Sequence, residues 1–148
     1  MLEKYPKLHL YFDDAHGVGW TGVNGCGSVF EHFKHSERVI LMSTLAKGFG
    51  CIGGIAVFND AEMHRKVNIY GGILAYTHPL SPSNVGAAIG SAELLLSDKI
   101  HTFQKELKDS MEYLNVKLEE LNLTNTSSSE TPIYFIGTGS VKVAQNLV

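Results

Sequence analysis

The sequence predicts an α/β protein, because strand-like and helix-like apolar patterns alternate along one chain. Leu8, Leu10 and Phe12 occupy alternate positions, and the segment from Arg38 to Met42 contains continuous apolar residues. The first pattern is typical of a half-buried strand and the second of a strand covered on both faces. Between residues 98 and 121, leucines and a methionine recur at three- and four-residue spacing, which predicts an amphipathic helix.

The composition excludes several classes of protein. The 148 residues are 44% hydrophobic and 18% charged, so we expect a globular core and no extensive disorder. No apolar segment approaches the roughly 20 residues of a membrane helix, and residues 1–7 lack the apolar stretch of a secretory signal, so we expect a cytoplasmic protein. A net charge of −3 without a basic stripe argues against a nucleic-acid partner. Cys26 and Cys51 are too few for a disulfide framework, which predicts free thiols.

In the first half of the chain, three strands and one helix are expected. The first strand ends at Asp13 and is followed by a glycine-rich loop over 17–27, and the second covers 38–42. A third strand over 55–58 follows after a short glycine-rich connection, which suits an antiparallel return because a parallel crossover needs a dozen or more residues. Asn59 or Asp60 is expected to cap a helix that ends near Asn68.

The second half is predicted to be mainly helical. Two glycines and two prolines between 71 and 82 indicate an ordered loop. Ser83 or Asn84 is expected to cap a helix to about Ser97, and its richness in Ala, Ile and Leu predicts burial on most sides. The remaining elements are, in order, an amphipathic helix over 98–121, a linker over 124–131, a strand over 133–136 and the first turns of a helix over 140–148.

The first candidate site is Asp13-Asp14-Ala15-His16-Gly17. Two carboxylates and an imidazole leave the carboxyl end of a strand, which is where α/β proteins place ligands. Aspartate and glycine are also ordinary turn residues, so the segment alone is equally consistent with a solvated turn.

The second candidate is Lys47, in the sequence Ser43-Thr44-Leu45-Ala46-Lys47-Gly48. A lysine that directly follows a buried strand is expected to be partly desolvated, which favours the neutral amine that attacks carbonyl groups. A lone lysine in such a place is otherwise most often an exposed surface residue.

Parts of the sequence also fit three other kinds of site. Two segments, beginning at Gly17 and at Gly48, match G-x-G-x-x-G, but neither lies between a strand and a helix as a dinucleotide site requires. A nucleotide-dependent protein using these loops remains a competing hypothesis, although the sequence contains no G-x-x-x-x-G-K-[ST] phosphate loop. A metal site built from His32, His35 and His64 is conceivable, but without H-E-x-x-H spacing we expect surface histidines and no metal.

Taken together and in this order, the Asp13-Asp14-Ala15-His16 and Leu45-Ala46-Lys47-Gly48 motifs resemble those of fold-type I pyridoxal-phosphate enzymes, in particular the α-oxoamine synthases and class II aminotransferases. The resemblance implies part of a fold-type I large domain, with a mostly parallel sheet and one antiparallel strand, over residues 1–97. Residues 98–148 would begin the small α+β C-terminal domain. Since such subunits are several times longer, we expect a fragment of the full subunit.

The resemblance also assigns roles to individual residues. Lys47 would form the Schiff base with the aldehyde of pyridoxal 5'-phosphate, Asp13 would face the pyridine nitrogen, and His16 would bond the phenolic oxygen. Thr44 would bind the phosphate, and Thr77 and His78 would contact the phosphate held by the neighbouring subunit of a homodimer. Asp14 is expected to be structural, bonded to nearby backbone.

The implied reaction leaves three alternatives open. The parent enzyme would join an amino acid to an acyl-CoA with loss of CO2, or it would transfer an amino group as a class II aminotransferase. The third alternative is that the isolated chain is a catalytically inactive fragment that retains only part of the cofactor site.

Overall fold

The computed structural model describes residues 1–33, 36–123, 127 and 130–147. By Cα packing the chain divides into two compact units, residues 1–101 and 102–148. In chain order the described elements are β1 (Leu10–Asp13), α1 (Ser28–Phe33), β2 (Val39–Thr44), β3 (Gly54–Phe58), α2 (Ala61–Tyr70), α3 (Pro82–Leu95), α4 (Lys99–Glu120) and α5 (Val141–Leu147), with 3-10 turns at Val23–Gly25 and Leu74–Tyr76. No helix among these is long and apolar enough to cross a membrane.

The first unit contains a three-stranded sheet in the order β1-β2-β3. β1 and β2 are parallel and β2 and β3 are antiparallel, so the predicted antiparallel return is confirmed. The short connection after β2 permits only this direction. Because β1 and β2 are parallel neighbours, their carboxyl ends meet at one edge of the sheet, and the loops that follow them lie side by side.

The register of the sheet separates a buried face from an open one. Phe12 lies opposite Leu41, and Leu41 lies opposite Val57, so these residues share one face. Helix α1 covers this face, with the ring of Phe33 stacked on Phe12 at 5.3 Å between centroids. Asp13 belongs to the other face, where Tyr11 remains 63% exposed.

Helix α2 begins as predicted. The side chain of Asp60 accepts a hydrogen bond from the backbone N–H of Glu62, which satisfies one of the free donors of the first turn. One turn later Arg65 donates to both carboxylate oxygens of Glu62 at 3.0 Å. This contact holds the pKa of that carboxyl below its ordinary value.

Helix α3 differs from its prediction at its cap and in its burial. Ser81, and not Ser83 or Asn84, caps the helix, because Pro82 occupies the first helical position and the Ser81 hydroxyl accepts from the N–H of Asn84 at 3.4 Å. The expectation of burial on most sides was wrong: of the fourteen residues of α3 only Leu95 is buried. An apolar composition without a period does not indicate which side of a helix packs.

The second unit is built on α4, whose side chains Met111 and Leu118 are buried. The helix ends at Glu120; just beyond it Asn122 has φ 53°, and the N–H of Leu123 returns to the carbonyl of Leu118 at 2.9 Å. The predicted strand over 133–136 is wrong: only Ile136 makes a single bridge, and no ladder forms there. The terminal helix is confirmed as α5, while most of the predicted 124–131 linker lies outside the described residues.

Candidate active site

The loops after β1 and β2 touch through two glycines. A Cβ built on Gly19 would lie 2.5 Å from the Cα of Gly48, and a Cβ built on Gly48 would lie 2.6 Å from the Cα of Gly19. Gly19 also has φ +104°, a conformation that residues with side chains rarely adopt. The two backbones can therefore approach this closely only because neither position carries a side chain.

This contact places the two candidate motifs together. Nζ of Lys47 lies 2.9 Å from Nε2 of His16, a hydrogen-bond distance between residues far apart in sequence. An ammonium group can only donate, so in that state the imidazole accepts at Nε2 and carries its proton on Nδ1. The indole of Trp20 donates to the carbonyl of His16 at 2.5 Å, which fixes the backbone that presents the imidazole.

Lys47 is exposed, so the expectation that it is partly desolvated was wrong. Its neighbours Ala46 and Gly48 are small and also exposed, and they cover little of a long side chain. An exposed amine beside an imidazole is accessible to a ligand from solvent.

Asp13 ends β1 on the open face of the sheet. Its Oδ1 accepts from the N–H of Ala15 at 3.0 Å, an Asx-type turn that orients the carboxylate. The Asp13 side chain is exposed, and it precedes His16 by three residues in the same turn. A carboxylate, an imidazole and a primary amine are therefore presented at the carboxyl ends of two adjacent parallel strands.

Asp14 has the structural role expected of it. It is 6% exposed, and its carboxylate accepts from the N–H of Val29 at 3.0 Å and from the hydroxyl of Ser28 at 3.3 Å. A Cβ on Gly17 or on Gly27 would lie 2.1 or 2.3 Å from its oxygens. These glycines make room for a carboxylate that ties the His16 loop to the start of α1.

Replacing Asp14 by Ala should lower the free energy of unfolding by about 2–3 kcal/mol, because the first turn of α1 loses a charged acceptor inside a buried site. Asp14→Asn retains one acceptor oxygen and should lose about 1 kcal/mol. Urea unfolding of the two variants measures both values. Equal stability of Asp14→Ala and the unaltered chain would show that this buried contact contributes nothing.

Thr44 already has two partners at the end of β2. Its hydroxyl donates to the carbonyl of Gly53 at 3.3 Å and accepts from the N–H of Ala46 at 3.1 Å. These bonds close the start of the loop that carries Lys47. A phosphate bound by this hydroxyl would have to replace the bond to Gly53.

Thr77 and His78 lie on an exposed segment before α3. The hydroxyl of Thr77 donates to the carbonyl of Leu74 at 3.4 Å, and both side chains face solvent. Among the hydrogen bonds of the described residues, none joins either residue to His16 or Lys47. The structure thus brings Asp13, His16, Thr44 and Lys47 to one edge of the sheet, while Thr77 and His78 lie on the exposed segment before α3.

The whole chain, residues 1–148, matches the family model for aminotransferases of class I and II. The chain belongs to this family. Relatives include the 8-amino-7-oxononanoate synthase of Alkaliphilus metalliredigens, 36% identical over 134 residues that represent 90% of this chain and 32% of the relative. A synthase of the same name from Bacillus velezensis is 36% identical over 99% of this chain and 36% of its own length. The chain therefore spans about a third of the curated relatives that it matches.

Solved structures show the same fold for this aminotransferase-family chain. A serine palmitoyltransferase variant from S. paucimobilis, bound to a PLP–myriocin aldimine, superimposes with a TM-score of 0.81 at 22% identity over 95% of this chain and 36% of its own. The 8-amino-7-oxononanoate synthase of Francisella tularensis gives 0.78 at 24% identity, over 93% and 41%. The predicted fold class and the resemblance to the α-oxoamine synthases are confirmed.

The contact between the two loops gives the glycine-rich segments a structural explanation. Gly19 and Gly48 belong to the two G-x-G-x-x-G matches, and both are required for the contact between the loops. The second pattern leads into β3 and not into a helix, so it lacks the helix N-terminus on which a dinucleotide phosphate rests. Among the described residues, no group of three His, Cys, Asp or Glu side chains could hold a metal ion; His35 lies outside them.

Sequence reasoning missed two residues that contact the lysine loop from α3. Asn84 accepts from the backbone N–H of Ile52 at 3.0 Å, and Ser91 donates to the carbonyl of Phe49 at 2.7 Å. The two residues are about two helical turns apart and so share one face. That spacing was the available signal, but it was hidden because Ala88, Ala92 and Leu95 share this side and other apolar residues occupy the exposed sides.

Proposed function

We propose that Asp13, His16 and Lys47 form the cofactor centre of a pyridoxal-phosphate-dependent transferase that acts on an amino acid. The observation that carries the proposal is the 2.9 Å approach of Lys47 Nζ to His16 Nε2 at the carboxyl end of the strand that presents Asp13. The family match over the whole chain supports it.

The residues present suit this cofactor. An exposed primary amine can bond its aldehyde, a carboxylate can accept a hydrogen bond from a pyridinium nitrogen, and an imidazole can bond a phenolic oxygen. The contact of Gly19 with Gly48 adds an edge free of side chains next to these groups. The hydroxyl of Thr44 would bind the phosphate, and to do so it would give up its bond to Gly53.

The cofactor, when bound, supplies a carbonyl that bonds amines and a ring that accepts the electron pair released at the Cα of an amino acid. Asp13 would hold the pyridine nitrogen in its protonated form, since a carboxylate stabilises a positive charge there. His16 would bond the phenolic oxygen and would keep the lysine side chain beside the cofactor. The amine of Lys47 would serve as the base for the Cα proton of the amino acid.

Condensation is favoured over transfer of an amino group. The relatives at 36% identity are named for the product 8-amino-7-oxononanoate, in which an amino carbon adjoins a ketone carbon. Such a pair arises when an acyl group bonds to the Cα of an amino acid that loses its carboxylate. An acyl-CoA is the corresponding donor, and transamination by a class II aminotransferase is the alternative.

The proposed enzyme is a cytoplasmic homodimer. Thr77 and His78 face solvent at the end of an exposed apolar segment that includes Ile73 and Tyr76, which are 82% and 92% exposed. Such a segment suits contact with a second subunit, where Thr77 and His78 would reach the partner's phosphate. Residues 1–97 would belong to the cofactor domain and residues 98–148 to the beginning of the small domain.

The proposal is tested by measuring the melting temperature of the chain with pyridoxal phosphate and, separately, with NAD or ATP. Pyridoxal phosphate at a hundredfold excess over its Kd should stabilise the chain by about 2.7 kcal/mol, while the nucleotides should leave it unchanged. Stabilisation by a nucleotide alone would favour the competing use of the glycine-rich loops.

A further inference from the structure

Within the first unit, helix α3 packs through a side that combines apolar and polar residues. The positions that are not exposed are Asn84, Ala88, Ser91, Ala92 and Leu95, which recur at helical spacing along one side. Of the large apolar side chains only Leu95 is buried, while Ile89 is 55% exposed and Val85 is 42% exposed. Hydrophobic burial accounts for Ala88, Ala92 and Leu95, but it does not explain the choice of Asn84 and Ser91 for the inner face.

The inner face of α3 holds the loop that carries Lys47. Oδ1 of Asn84 accepts from the N–H of Ile52 at 3.0 Å, and Oγ of Ser91 donates to the carbonyl of Phe49 at 2.7 Å. Both backbone groups follow Lys47 in the sequence. One is an N–H donor and the other is a carbonyl acceptor. Leu80, just before α3, adds a third contact, because a Cβ on Gly53 would lie 2.8 Å from its Cδ2.

The loop closes on itself through other backbone groups. The N–H of Cys51 donates to the carbonyl of Leu45 and the N–H of Gly50 to the carbonyl of Lys47, both at 2.9 Å. Ile52 N–H and Phe49 C=O are the groups bonded to α3. The loop is thus held between the Gly19 contact on one side and α3 on the other.

We propose that Asn84 and Ser91 are positioning residues that fix the orientation of the Lys47 loop relative to His16. They touch neither of these side chains, and they act through the backbone of residues 49–52. The catalytic effect of this positioning rests on the proposed function, because it matters only if Lys47 bonds the cofactor.

The first measurement is hydrogen exchange at the Ile52 amide, which needs no cofactor. Asn84→Ala removes the acceptor and should speed exchange about threefold to tenfold, the range expected for one hydrogen bond. Asn84→Asp keeps an acceptor oxygen and should restore protection to within about twofold. The amide of Leu41, in the middle of the sheet, is the internal control and should not change.

The second measurement is the rate at which pyridoxal phosphate is trapped on Lys47 by borohydride, relative to trapping on the exposed Lys108. Asn84→Ala and Ser91→Ala should each lower this ratio about threefold to tenfold, and Asn84→Asp should restore it. A merely structural role would change the unfolding midpoint and leave the ratio unchanged.

The outcomes separate this inference from the proposed function. Faster Ile52 exchange in Asn84→Ala with an unchanged trapping ratio at Lys47 would overturn the positioning role. Ile52 exchange that is the same in all variants would overturn the contact itself. Absence of trapping at Lys47 in the unaltered chain would refute the proposed function, while the exchange data would still decide whether α3 holds the loop. Ser91→Ala keeps the test available if Asn84→Ala does not fold.

Discussion

Replacing Gly19 by Ala is expected to destabilise the chain by about 2–5 kcal/mol. The new methyl group would lie 2.5 Å from the Cα of Gly48, and backbone cannot rotate away as a side chain can. Overpacking of this kind costs about 1–3 kcal/mol, and the positive φ of Gly19 adds about 1–2 kcal/mol. The loss should appear as a lower urea midpoint, together with loss of the contact between His16 and Lys47.

Two other glycines provide matched controls. Gly50 lies in the lysine loop with φ +61° and open space around it, so Gly50→Ala isolates the conformational cost of about 1–2 kcal/mol. Gly90 lies in α3 with nothing within 4 Å of a Cβ, and Gly90→Ala should stabilise the helix by about 0.5–1 kcal/mol. If Gly19→Ala cost no more than Gly50→Ala, the close approach of the two loops would not contribute to stability.

Replacing Lys47 should abolish the specific reaction of the chain with pyridoxal phosphate. After incubation and borohydride reduction, peptide mass mapping should place the label on Lys47 in the unaltered chain. Lys47→Ala removes the amine that forms the covalent bond, so labelling there is lost and the remainder should fall to the level of an exposed lysine such as Lys108.

Lys47→Arg is the control for charge and packing. A guanidinium keeps the positive charge and can still donate to His16, but it stays protonated and does not bond the aldehyde. The variant should fold as the unaltered chain does and should remain unlabelled. Labelling spread over many lysines, or unchanged total labelling in Lys47→Ala, would indicate surface chemistry and no built site.

The sequence predicted the three strands of the sheet because local patterns determine them, although β2 continues to Thr44, two residues beyond the predicted end at Met42. The continuous apolar run from Val39 and the short connection to β3 leave one direction for the return strand. Asp60 was one of the two expected caps, because its side chain acts on the backbone two residues away. Features of this kind depend on residues that are close in sequence, so a sequence pattern can predict them.

Features that depend on packing between distant segments could not be predicted in this way. Gly19 and Gly48 each belong to a sequence segment that matches the dinucleotide-binding pattern. Only the fold shows that the two glycines contact each other. The packed side of α3 was hidden because the apolar residues of this helix follow no helical period and so do not mark one side. The exposure of Lys47 follows from small neighbours and from the path of its loop.

The most direct test of the central claim is the crystal structure of the chain after borohydride has fixed pyridoxal phosphate on Lys47. We expect a pyridine nitrogen within hydrogen-bond distance of the Asp13 carboxylate and a phenolic oxygen within reach of the His16 ring. A ring attached to Lys47 but turned into solvent, with Asp13 out of its reach, would contradict the assignment of these three residues to one cofactor site.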